Sequence, residues 1–170
     1  IYTAILTDTG GFRFDNTSSD VFMIASELVK IGVNPNKVYT YCYELKSKNY
    51  IMFQNYCVQK AVFSEDNKIV YTTVYKKDLE KFHAKDDYTE GLAESLRAID
   101  TTDIAFIVKE VEPNKISKIS MRSKLYDVAK ICSNFGGGGH SRAAGCTIKS
   151  GLESAVKKVL GEIKKVGYEK

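Results

Sequence analysis

Apolar and polar residues along this chain follow two periods, and those periods predict its elements. Tyr2–Leu6 is a short apolar run that reads as a buried strand, leading into the turn-rich Thr7-Asp-Thr-Gly-Gly-Phe12. Asn16-Thr-Ser-Ser-Asp20 offers N-caps to an apolar helix over Val21–Ile31, with Gly32 and then Pro35 as its stop signals. One strand and one helix cannot bury a core by themselves. Residues 1–33 are therefore expected to lean on something else, and a homodimer is one such arrangement.

From residue 36 to 60 the pattern is helical and rich in tyrosine, with a break near Ser47-Lys48-Asn49. The first half reads as a linker and the second as the opening helix of a new domain. Ala61–Ser64 and Lys68–Tyr75 flank Glu65-Asp66-Asn67 as the arms of a hairpin, and strict alternation from Ile69 to Tyr75 supports the second arm. Short helices are expected around Asp78–Phe82 and Gly91–Ile99. Asp103–Val111 and Lys115–Arg122 form a second strand pair, in which Lys118, Ser120 and Arg122 share one face and Ile119 and Met121 the other. A short helix over Asp127–Asn134 runs into a glycine segment, Cys146–Ile148 is a last strand, and Gly151–Lys165 is an amphipathic helix. The fold class is α+β (α/β), a mixed sheet flanked by helices and preceded by a strand–helix remnant of an α/β domain. The boundaries are 1–34, a linker over 35–47, and a second domain over 48–170.

Composition narrows the chemistry. With 44% hydrophobic and 27% charged residues, the chain has the balance of an ordinary globular protein and no apolar run long enough for a membrane span. The net charge of +4 permits an anionic ligand without arguing for non-specific nucleic-acid binding. Cys42, Cys57, Cys132 and Cys146 show no CxxC pairing and no neighbouring histidine, which disfavours a zinc site or a disulfide framework. Four buried, reduced thiols point to a cytoplasmic setting.

The glycine segment reads Phe135-Gly-Gly-Gly-Gly-His140-Ser-Arg142-Ala-Ala-Gly145. A backbone without Cβ atoms can turn consecutive N–H groups toward an anion, and a helix N-terminus following it would add its dipole. His140 and Arg142 supply donors beside it. This is neither a Walker A loop nor a GxGxxG after a strand, and a flexible surface loop is the alternative reading. Arg122-Ser123 at a strand end is a second candidate anchor for phosphate, because the arginine fork donates bidentately. Thr89-Glu90-Gly91 shapes a helix start. Asp8 lies just past the first predicted strand, where α/β folds place functional carboxylates, although an aspartate beside a glycine is more often a turn residue.

Taken in order, Thr7-Asp-Thr-Gly-Gly-Phe12 with Asn16-Thr, Thr89-Glu-Gly91, Met121-Arg-Ser123 and Phe135-Gly-Gly-Gly-Gly-His140 through Ala143-Ala-Gly145 resemble the DHH/DHHA1 phosphoesterases. The resemblance is to the nanoRNase/pAp-phosphatase branch, which degrades very short RNA and removes the 3′-phosphate of pAp. It implies two manganese ions held by an N-terminal DHH domain, with Asp8 as the last of its metal ligands and a participant in catalysis with His140. It also implies that Arg122, Ser123, Gly137, Gly138, Gly139, His140, Arg142, Thr89 and Glu90 bind the substrate. The family's upstream metal motifs are missing, since the two histidines, His83 and His140, both follow Asp8. The chain is accordingly expected to be the tail of a DHH domain, a linker and a DHHA1 domain, inactive by itself. A cyclic dinucleotide phosphodiesterase, a RecJ-like exonuclease and a non-catalytic nucleotide-binding module are the other readings.

Overall fold

A computed structural model describes residues 1–166; residues 167–170, the end of the expected second domain, lie outside the described residues. The chain divides into two compact units, Ile1–Ser47 and Lys48 onward.

The first unit is helical. Helix α1 spans Tyr2–Asp8, α2 Ser19–Lys30 and α3 Pro35–Tyr39, the last continuing as a π-helical turn over Thr40–Glu44. The strand predicted at Tyr2–Leu6 is thus a helix. A five-residue apolar run carries no decisive period, and here Tyr2 and Leu6, four residues apart, share the buried side with Ala25. Helix α2 begins as predicted, with the Ser18 hydroxyl accepting from the Val21 N–H at 3.4 Å. Both α1 and α2 end in paired reverse bonds: Gly11 N to Leu6 O with Gly10 N to Thr7 O, and Val33 N to Leu28 O with Gly32 N to Val29 O. Thr7-Asp-Thr-Gly is therefore the C-terminal stop of a helix.

The second unit opens with α4 (Lys48–Gln59) and is built on a six-stranded sheet. Its strands are β1 (Val62–Phe63), β2 (Ile69–Val74), β3 (Ile104–Glu112), β4 (Ile116–Ser123), β5 (Gly138–His140) and β6 (Ala143–Ile148), in the order β1-β2-β3-β4-β6-β5. Only β2 and β3 are parallel. Helices α5 (Lys76–Lys81) and α6 (Leu92–Arg97) lie in the crossover between them, as a parallel pair requires. Helix α7 (Val128–Ser133) precedes β5, and α8 (Leu152–Lys165) closes the unit.

Strand alternation sorts the sheet into two faces. Ile104, Phe106 and Val108 of β3 and Ile119 and Met121 of β4 pack with Val128, Ile131, Ala155, Val159 and Ile163 from α7 and α8. Ala105 and Ile107 of β3 turn the other way, onto Phe53, Cys57, Leu79, Leu92 and Leu96 from α4, α5 and α6. No residue of β4, β6 or β5 belongs to this second cluster among the described residues. Half of that sheet face is thus bare of a packed apolar layer, although Glu94 of α6 reaches Arg122 on it. Beside it, Asp78 is buried in a capping box at the start of α5, taking the Lys60 ammonium, the Tyr56 hydroxyl at 3.1 Å and the Tyr75 N–H at 3.0 Å. Burial alone would raise its carboxyl, but the Lys60 and Tyr75 donors outweigh that and hold it below the ordinary value.

Candidate anion site on the bare sheet face

Arg122 sits one residue from the end of β4, in register with Ala105 on β3 and Ala143 on β6. Its Nε donates to Glu94 Oε1 at 2.7 Å and its Nη1 to the carbonyl of Met121 at 2.8 Å. Nη2 and the second Nη1 hydrogen have no partner among the described residues. The guanidinium is therefore oriented on two sides and open on the third. Ser123 differs. It is fully buried, its hydroxyl donates to the Tyr126 carbonyl, and its N–H donates to the Arg142 carbonyl at 3.1 Å. That hydroxyl holds the turn after β4 and is not open to a ligand.

The glycines follow from the fold at three of four positions. Gly137 N donates to Cys132 O and Gly136 N to Ser133 O at 3.0 and 2.9 Å, closing α7 with Gly136 at a φ of +71°. A Cβ on Gly137 would run into the Gly145 carbonyl and Cys146, and one on Gly139 would lie 2.5 Å from the Ala143 carbonyl oxygen. Gly138 alone would bear a Cβ that meets nothing within 4 Å.

The segment after Phe135 reads in the sequence as an anion-cradling loop, to which a following helix N-terminus would add its dipole. It is instead the edge strand β5, joined to β6 by Ser141-Arg142, so no helix dipole serves it. Strand β6 starts at Ala143, earlier than the predicted Cys146, and accommodates Gly145 where a Cβ would press to 3.0 Å on the Ile119 carbonyl. Ser141 O accepts from Val128 N at 2.9 Å, which with the Ser123–Arg142 bond pins the hairpin tip beside the end of β4.

Because Ala143 pairs with both Arg122 and His140, all three side chains emerge on one face. Arg122 and His140 are two strands apart, about 10 Å. Between and beside them lie Ser120, Gly145 and Gly138, again mutually in register. The result is a strip of small residues between and beside Arg122 and His140 on the bare half-sheet. The side chains of His140 and Arg142 are exposed and make no hydrogen bond among the described residues.

Thr89 closes a 3-10 turn over Asp86–Thr89, with its hydroxyl on the Asp86 carbonyl at 3.1 Å. The Glu90 carbonyl accepts from Tyr50 and from Gln54 at 3.3 and 3.2 Å, while the Glu90 side chain is exposed. These residues shape the start of α6, which then delivers Glu94 to Arg122. Glu94 is the participant the sequence did not reveal, since a carboxylate 28 residues away leaves no local signal. Three residues further on, Arg97 has a buried Nε with no partner among the described residues.

Asp8 belongs to the other unit. It is exposed in the last turn of α1, beside Ala4, Ile5 and Thr7, and Asn16 donates to its carboxylate at 3.3 Å. No three His, Cys, Asp or Glu side chains converge anywhere among the described residues, so the residues present do not fit a two-ion centre. All four cysteines are free; three are buried and Cys42 is partly exposed, against the expectation that all four would be buried. Burial pushes the Cys57 thiol up to about 12, and the hydrogen bond with the Cys146 thiol, together with burial, raises Cys132 as well, which suits packing better than nucleophilic chemistry. No helix among the described residues is long and apolar enough to cross a membrane.

Fold and site together define an α+β domain that offers an oriented arginine, a histidine and a side-chain-free strand edge to an anion. The chain belongs to the DHHA1 domain family, whose pattern matches residues 66–166. It is 30% identical over 174 residues to the bifunctional oligoribonuclease and PAP phosphatase NrnA of Thermus thermophilus, covering 99% of this chain and 51% of that protein. The NrnA of Bacillus subtilis is 29% identical over 150 residues, covering 88% of this chain and 47% of that protein. The chain thus spans about half the length of the relatives it matches. Among solved structures, an exopolyphosphatase-related protein from Bacteroides fragilis shares the fold, with a TM-score of 0.85, 24% identity, and coverage of 95% of this chain and 47% of that one.

Proposed function

We propose that this chain is the substrate-gripping part of a cytoplasmic, metal-dependent phosphoesterase that acts on very short RNA and on pAp. Residues 1–34 would be the tail of a DHH domain, 35–47 a linker and 48–170 the DHHA1 domain. The observation that carries the reading is Arg122: a guanidinium oriented by Glu94, with its outer N–H groups open, on the same bare face as His140. Such a fork suits a phosphate, and each charge-assisted bond contributes about 1.5–3 kcal/mol. In this reading Arg122, His140 and Arg142 donate to the phosphate, and the Gly137–Gly139 backbone leaves room for it. Ser123 positions Arg122 through the turn it holds, and Thr89 and Glu90 do so through α6.

Asp8 supports the metal half of the proposal. A carboxylate in the last turn of a helix faces the negative end of the helix dipole, an arrangement that a cation relieves. Manganese and the pairing of two copies belong to the whole protein in this proposal. The runner-up, a non-catalytic nucleotide-binding module, is favoured by one observation, that Asp8 stands without fellow ligands among the described residues.

Titration calorimetry of pAp and a two-nucleotide RNA into this chain, with and without Mn²⁺, followed by product analysis, tests the reading. Binding of both, weakened ten- to a hundredfold by Arg122→Ala and by His140→Ala, is the expected result. No binding to the unmodified chain would refute it. Hydrolysis without further chain would overturn the assignment of this chain to substrate gripping alone.

A further inference from the structure

The face that carries Arg122 and His140 has further cationic residues. Lys109 of β3 and Lys118 of β4 are directly opposed in register, on the same face as Arg122. Like charges placed so, with Cβ atoms about 5 Å apart, destabilise a sheet. Lys109 is held down by the carbonyl of Asp86 at 3.2 Å and its carboxylate at 3.5 Å, with a side chain only 13% exposed. The Lys118 side chain is exposed and makes no ion pair or hydrogen bond among the described residues. Its neighbour across β6 is Thr147.

Lys118 and Arg122 are four positions apart along β4, about 13 Å of strand. Between them lie Ser120 and Gly145, and β4, β5 and β6 contain no carboxylate at all. They contain no Phe, Tyr or Trp either, so the only planar groups on the face are His140 and the Arg122 guanidinium.

We infer that Lys118, facing the anchored Lys109, is a second phosphate subsite, which takes a backbone phosphate of a short RNA whose terminal phosphate sits at Arg122 and His140. This deepens the proposed function and rests on it. The track holds the strand by its phosphates, so it grips a few nucleotides without reading their sequence. A ligand as short as pAp fills only the Arg122 end, whereas an oligonucleotide long enough to span the face reaches both.

Binding of pAp and of a four-nucleotide RNA is measured at several salt concentrations for the unmodified chain, Lys118→Ala and Arg122→Ala, with thermal unfolding alongside. Lys118→Ala should leave pAp affinity unchanged and weaken the tetranucleotide at least threefold. It should also lower the slope of log K against log salt for the tetranucleotide by about 0.7, the value of one phosphate contact on a single strand. Its melting temperature should be unchanged or higher, because a like-charge pair is relieved. An equal loss for both ligands, or no loss for either, would overturn the second subsite. Failure of the underlying reading looks different: Arg122→Ala would then bind pAp as well as the unmodified chain does, whatever Lys118→Ala shows.

Discussion

The two halves of the sheet in the second unit are built on different terms. Over β2 and the first five residues of β3 both faces are covered, and the strands read Ile-Val-Tyr-Thr-Thr-Val and Ile-Ala-Phe-Ile-Val, mostly apolar along their length. Over β4, β6 and β5 only the α7–α8 face is covered, and the outward positions are Lys118, Ser120, Arg122, Ala143, Gly145 and Thr147. The first half spends both faces on packing, whereas the second half packs one face and leaves the other free to bind. A change in the covered half should alter unfolding and spare the ligand, and a change on the bare half should do the reverse.

The strongest challenge to that division comes from Gly137, which is on the bare half yet packed against β6. Gly137→Ala should destabilise the unit by about 1–3 kcal/mol through overpacking, read as a lower denaturant midpoint. A neutral result would mean that β5 moves freely off β6. Next is Asp78 in the covered half. Asp78→Asn should lose about 1–3 kcal/mol at pH 7, where the buried network is charged, with pAp affinity unchanged. Because the folded carboxyl sits below its usual value of 3.8, its contribution is fully present above that pH and is lost as pH falls through the folded value. The difference between Asp78→Asn and the unmodified chain should accordingly be constant above about pH 5 and shrink below pH 4, in urea titrations.

Glu94 bridges the halves, reaching from α6 to Arg122. It orients the guanidinium and also competes for its charge. Glu94→Gln should therefore strengthen pAp binding about threefold while keeping the orientation, and Glu94→Ala should weaken it by a similar factor. Equal affinities for both variants would remove Glu94 from the site. The smallest stability effect belongs to Gly138→Ala, within about 0.5 kcal/mol, because nothing in the fold meets its Cβ. A several-fold loss of pAp affinity with that unaltered stability would mark Gly138 as the position where the ligand approaches the backbone.

Much of this was legible in the sequence where side chains carry a period. Strands β2, β3 and β4 and helices α2 and α8 lie where alternation and the three-to-four spacing place them. Tyr2–Leu6 misled because a five-residue apolar run serves a strand or a helix equally. The edge strand Gly138–His140 was invisible for the opposite reason, as residues without side chains have no pattern to read. Arg122 and His140 could be singled out by type and position, but their meeting across Ala143 depends on β6 lying between β4 and β5, a topology no local signal encodes.

The reverse turn that closes α7 has a consequence for how fast and how loosely a ligand is held. Four glycines in a free loop would have to be ordered on each encounter. Here Gly136 and Gly137 are already tied to Ser133 and Cys132, and Gly138 and Gly139 are paired to β6. Their disorder is surrendered once, when the protein folds. The encounter then resembles the docking of rigid surfaces, with little conformational entropy left to lose, and selectivity rests on how quickly each ligand departs.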